Sequence, residues 1–249
     1  VPGRHSPERA GDEKHFSTRR GVAPGLTESD SFSKGITKGL RNRLAIRFAV
    51  EGDLRFISHH DTLRFFERAL ARAGIPVRYS EGYSPRPRLS IVLPRPVGVA
   101  SCDECIVLEL DSHQPPEEVL SRLKPHLPRG LALRSAEALP ETDHRRPCEA
   151  EYVVDVPPDA REDLGRRAAA LMAAPRLEVR RRGGTGAPDK TVDIRPYVRA
   201  VTLEGTALAW RQSTGQEGTA RVGEVLEALG LPARDHVHRV VRRRVEYRA

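Results

Sequence analysis

The chain has little of most residues that make a function easy to read. Three cysteines, one methionine, one tryptophan and 5% aromatics are spread over 249 residues. Three cysteines cannot build a disulfide framework and point to a reducing, cytoplasmic setting. Lysine is scarce too, with five against 37 arginines. Abundant Ala, Gly and Pro beside that arginine are what a G+C-rich coding sequence produces, so basicity alone does not establish a partner. No apolar run approaches the ~20 residues of a membrane span. The start, Val1-Pro2-Gly3-Arg4-His5-Ser6-Pro7, lacks an apolar signal region, which argues against secretion. Val at position 1 suggests a fragment once joined to something upstream. Missing as well are a phosphate loop, a familiar catalytic triad and a metal cage.

What is present is charge. The net charge is +8 and the isoelectric point about 9.8, which favours polyanionic partners where the charge is locally clustered. Residues 1–42 are rich in Gly, Ser, Pro, Thr and charge and carry isolated Phe16 and Phe32, so a disordered tail is expected. Order should begin at 43–50, where Leu44, Ile46, Phe48 and Val50 alternate as a half-buried strand. Ser58 with Asp61 three residues later resembles a capping box. Leu63, Phe66, Leu70 and Ala73 then form one buried helical stripe, and Arg64, Arg68 and Arg72 recur every four residues on another face. Gly74 and Pro76 stop this helix.

A strand-like piece at 77–80 leads through a Gly/Pro loop to strands at 89–93, 106–110 and 131–138, with a helix at 115–127. The order strand, helix, strand, strand, helix, strand is the split βαβ pattern. Polar residues 140–147 read as a linker. Beyond them the same order is legible again with an insertion, in strands at 149–156, 177–181, 192–194, 198–203, 207–211 and 237–247 and helices at 160–173 and 222–229. The expected fold is α+β: two tandem ferredoxin-like units with antiparallel sheets, at 43–140 and 148–249, behind the tail.

The densest chemistry surrounds the first helix. Arg55-Phe56-Ile57-Ser58-His59-His60-Asp61 precedes it, and Arg78-Tyr79-Ser80-Glu81-Gly82-Tyr83-Ser84-Pro85-Arg86-Pro87-Arg88 follows. Tyrosines interleaved with arginines suit single-stranded RNA, rings stacking on bases while guanidinium groups grip phosphates. The competing view makes Tyr79 a strand core residue and Tyr83 a turn residue. His59 is a candidate general base toward a ribose 2′-OH; equally, one histidine can lie on the surface and the other pack against Phe56 or Phe65. Adjacent histidines on a helix are expected to diverge rather than act as a tight pair. Consecutive His59, His60 and Asp61 cannot close a three-ligand metal site, so no metal is expected. Cys102-Asp103-Glu104-Cys105 lacks a second pair and leads into an apolar strand, so its cysteines read as structural. Asp193 is expected to pair with Lys190 or Arg195. Arg239, Arg242, Arg243, Arg244 and Arg248 would form a solvated cationic edge or a further RNA contact.

Phe56-Ile57-Ser58-His59-His60-Asp61, Arg68-Ala69, the Tyr79-to-Pro87 segment, Pro96-Val97-Gly98 and Asp193-Ile194-Arg195-Pro196 together resemble the bacterial radical SAM-linked (radical SAM-associated) protein family. There such a domain follows, or is encoded beside, a radical S-adenosylmethionine enzyme. His60 departs from the pattern, which more often has an apolar residue there. The resemblance implies a radical SAM enzyme as partner and an RNA-centred role. The chain lacks the C-x-x-x-C-x-x-C cluster motif, so the radical chemistry would belong to the partner. The fold is also similar to metal-independent CRISPR-repeat endoribonucleases of the RAMP superfamily, without their glycine-rich loop.

The expected function is therefore a non-catalytic accessory domain that binds tRNA or rRNA and needs no cofactor of its own. Its nucleic-acid contacts would be Arg64, Arg68, Arg72, Arg78, Tyr79, Tyr83, Arg86 and Arg88. One alternative is a metal-independent ribonuclease, with His59 as base, Tyr79 or Tyr83 as acid, and Arg86 or Arg88 stabilising the phosphate. Another is a domain that docks on the radical SAM partner alone.

Overall fold

In the computed structural model the residues described are 42–182, 184, 188–215 and 218–248. Apart from Asn42, the expected disordered tail lies outside them. Strand β1 (Asn42–Val50) is the centre of the first half. Leu44, Ile46, Phe48 and Val50 alternate onto one face and are all but inaccessible to solvent. Helix α1 (His59–Arg72) packs on that face, where Phe66 meets Phe48 edge-on with ring centroids 4.9 Å apart. Ser58 caps α1: its Oγ accepts from the Asp61 N–H and donates to the Asp61 carboxylate. Gly74, at φ +62°, closes the helix, with the N–H of Gly74 on Ala71 O and that of Ile75 on Leu70 O.

The chain continues through β2 (Leu89–Ile91), β3 (Ala100–Leu110), α2 (Pro116–Leu123) and β4 (Leu131–Leu139). The third strand starts six residues before the expected 106, so the Cys102–Cys105 segment is strand throughout. Side chains three apart on a strand face opposite ways. Cys102 is accordingly exposed and Cys105 buried, its thiol pushed up to about 11 by desolvation.

The second half comprises β5 (Arg146–Asp155), α3 (Arg161–Ala173), the hairpin of β6 (Glu178–Arg181) and β7 (Lys190–Asp193), then β8 (Val198–Glu204), β9 (Ala207–Ser213), α4 (Val222–Ala228), the single turn α5 (Ala233–His236) and β10 (Val241–Arg248). Its core centres on Trp210, stacked on Tyr152 at 5.3 Å, beneath Leu164 and Leu171 of α3 and Val225 and Leu226 of α4.

One mixed but mostly antiparallel sheet runs through both halves in the order β4-β1-β3-β10-β5-β9-β8. Strand β3 is shared lengthwise. Its 106–108 portion pairs with β2, while Ala100 and Ser101 pair in parallel with Val241 and Arg242 of β10. The last strand is thus internal at its start, with β5 on its other side. That corrects its reading as a solvated edge. Residues 237–239, expected as strand, form a 3₁₀ turn. The connection at 140–145 is pinned rather than loose, since the Arg43 guanidinium donates to the carbonyls of Glu141 and Asp143. No helix among the described residues is long and apolar enough to cross a membrane.

Candidate functional site

Residues 77–89 fold back on themselves beside the β2–β3 edge. Tyr79 bridges to Pro87, the Arg78 N–H donates to Glu109 O at 2.8 Å, and the Arg88 N–H donates to Arg78 O at 2.7 Å. Ser80 and Arg86 close the tip, N–H to O at 2.8 Å and N–H to Oγ at 3.0 Å. This backbone frame pushes the aromatic rings outward. Tyr79 is 53% exposed and Tyr83 wholly so. Neither is a core residue. Arg86 is exposed beside them, whereas Arg78 and Arg88 are half-buried and Arg88 faces Glu109 at 3.5 Å.

The arginines of α1 form the expected exposed stripe. Arg64 pairs with Asp61 at 3.2 Å, and Arg68 lies over the Phe65 ring at 5.1 Å. Arg68 and Arg72 line a shallow hollow of about 340 Å³ with Phe65 and with His126 from the turn that leads into β4. In the sheet β4 lies on one side of β1, and the tyrosine hairpin lies beyond β3 on the other. The hollow at Arg68 and Arg72 is lined by neither tyrosine.

His59 and His60 do not diverge. Their rings are tilted by 37° with centroids 3.9 Å apart, His59 half-buried and His60 exposed. The contact is possible because both residues lie in the first helical turn, where no preceding turn confines the side chains. Asp61 is held below the usual carboxylate range by the Ser58 hydroxyl first and by Arg64 after it.

Two motif segments do meet. Arg95, 8% exposed, donates to the carbonyls of Leu54 at 2.6 Å, Arg55 at 2.7 Å and Val99 at 3.2 Å. Gly98 N–H adds a bond of 2.8 Å to Arg55 O. Residues 54–61 and 95–99 are thereby clipped together, leaving Phe56 and Val97 more than half exposed at the joint. Arg55 extends to His238 O at 2.6 Å, tying in the approach to β10. Sequence reasoning missed Arg95. Its one signal was an arginine held between Pro94 and Pro96, where a stiff backbone can aim a guanidinium at carbonyls.

The remaining candidates have structural roles. Asp193 accepts from Leu177 N–H at 2.8 Å and Arg195 N–H at 3.0 Å, and the first of these bonds leads in lowering its pKa. Arg195 itself holds Met172 O and Val198 O. Arg242 is buried against Glu104, and Arg243 spans Glu151 and Glu204, so the C-terminal arginines are no uniform stripe. No group of three His, Cys, Asp or Glu able to hold a metal gathers among the described residues.

No curated protein matches the chain significantly. A family described as "Uncharacterized protein conserved in bacteria (DUF2344)" matches residues 43–222. That span takes in the tyrosine hairpin, α1, the Arg95 joint and the second half as far as the start of α4. The chain belongs to this conserved bacterial family.

Proposed function

We propose that this chain is a non-catalytic RNA-binding module that presents a structured RNA, tRNA or rRNA, to a radical SAM enzyme in the cytoplasm. The observation that carries the RNA part is the hairpin at 77–89, which holds Tyr79 and Tyr83 out in solvent beside Arg86. Exposed aromatic rings cost solvation unless something stacks on them, and bases stack on any π face. Arg64, Arg68 and Arg72 would follow the phosphate backbone along α1, with Arg78 and Arg88 as lesser contacts. The motif resemblance described above supports the radical SAM partner. The strand orders β4-β1-β3-β2 and β10-β5-β9-β8 support reading the halves, 43–140 and 148–249, as two ferredoxin-like units.

The test is titration of labelled tRNA and rRNA fragments at several salt concentrations. Affinity should fall steeply with salt, because each phosphate contact releases counterions. Binding that ignores salt, or absence of binding near ~1 μM protein at low salt, sinks the proposal.

The exposed Phe56 and Val97 favour a second reading, in which the Arg95 joint docks on the enzyme itself. Phe56→Asp with Val97→Asp would then abolish co-purification of the partner while RNA binding persists.

A further inference from the structure

One cavity lies away from the tyrosine hairpin, at the β5–β10 end of the second half. It is an open cleft of about 850 Å³ lined by Arg146, Arg199 and Arg248 with Tyr197, Ser213 and Thr214. Arg146 and Arg248 are directly opposed in the β5–β10 ladder. Like charges opposite one another on neighbouring strands are destabilising. Arg199 is the extra residue of a bulge: Val198 pairs with Gln212 and Ala200 with Arg211, leaving Arg199 without a place in the ladder. Bulges re-aim side chains and gather beside binding sites. Among the described residues no carboxylate lines the cleft and no ion pair engages any of these three arginines. Elsewhere in the fold arginine is readily paired, as Arg181 with Glu224 and Arg243 with Glu151 show. The Thr214 hydroxyl is buried in the cleft wall without a hydrogen-bond partner.

We propose that this cleft binds a small diphosphate-bearing ligand. The phosphate oxygens would be held between the Arg146–Arg248 pair and Arg199, and the rest of the molecule would lie against the Tyr197 ring. Guanidinium groups match phosphate oxygens bidentately. Three positive charges lining one cleft suit a diphosphate better than a single phosphate monoester. The volume falls within the roughly 300–1,000 Å³ of small-ligand sites and leaves space beyond the phosphates.

Calorimetry and thermal melting of the full chain, with inorganic pyrophosphate and with ADP, test this. Both probes should bind and raise the melting temperature. Arg199→Gln and Arg248→Gln should each weaken binding by about tenfold or more, since a charge-assisted contact is lost, while Arg134→Gln, on β4 away from the cleft, binds as wild type. Without a ligand, Arg248→Gln should melt no lower than wild type, because it removes a like-charge contact; this checks folding and the unpaired state together. No binding of either probe at roughly 1 mM in low salt overturns the proposal, as do unchanged affinities in both arginine variants. It also fails if RNA binding is lost in Arg199→Gln but is not displaced from wild type by pyrophosphate or ADP. The cleft would then be a polynucleotide contact.

Discussion

Arg242 of β10 and Glu104 of β3, 138 residues apart in sequence, form an ion pair from which solvent is almost wholly excluded. The same guanidinium donates to Leu93 O at 2.8 Å, and Tyr152 lies against it. Glu104→Gln leaves a buried cation without its counter-charge and should cost about 3–5 kcal/mol, whereas replacing both partners with apolar residues of similar volume should be close to neutral. Urea denaturation of the two single variants and the double variant measures the coupling directly. A Glu104→Gln cost below ~1 kcal/mol would show that the charge is not confined there.

Acid sensitivity should centre on Glu224. Its carboxylate is bidentate with Arg181 at 2.7 and 2.8 Å and accepts the Arg221 N–H at 2.8 Å. Burial acts to raise its pKa, but these bonds outweigh it and hold the value below the ordinary glutamate range. A carboxyl depressed in the fold stabilises it above the unfolded pKa of about 4.3, and that contribution fades as pH falls from there through the folded value. Melting temperature measured from pH 6 down to pH 3 should fall less steeply in Glu224→Gln than in wild type. Parallel slopes would refute the assignment.

Cysteine alkylation reads the β3 register. Cys102 is exposed, while Cys105 is buried with its thiol pushed up to about 11. Iodoacetamide near neutral pH should modify Cys102 on the folded chain and reach Cys105 only in denaturant, because the thiolate is the reacting form. Peptide mass mapping distinguishes the two.

Tyr83→Ala should weaken single-stranded RNA binding by about 1–3 kcal/mol, the worth of one base–aromatic stack. Its fully exposed ring contributes nothing to the core, so the melting temperature should stay unchanged. Loss of affinity with a flat melting profile is the pattern expected of a contact residue.

The features legible in the sequence are local ones. Alternation at 44–50, the Ser58–Asp61 cap and the Gly74 stop each depend on residues within one turn or strand, and each is found where expected. The outward Tyr79 was open in sequence because its exposure depends on the Pro87 bridge eight residues later. The place of Arg242 was hidden for a stronger reason. A run of arginines on a terminal strand reads as solvated, and burial becomes visible only once the pairing of β10 with β3 is known. The same holds for Arg199, whose bulge is a property of the β8–β9 register rather than of its neighbours in sequence. The histidine contact escaped because the divergence of neighbours holds for regular helix, not for a first turn.

The lengthwise sharing of β3 has a kinetic consequence. The partner that completes its 100–101 end is supplied by Val241 and Arg242, after every other strand of the sheet in chain order. Neither half can satisfy all its edge hydrogen bonds alone, so the halves are expected to unfold in one transition rather than two. Closing so long a loop before its contacts reward it slows folding. Until it closes, β5 and part of β3 present open edges able to recruit another chain. During refolding, aggregation should therefore compete most strongly in the interval before the last strand docks.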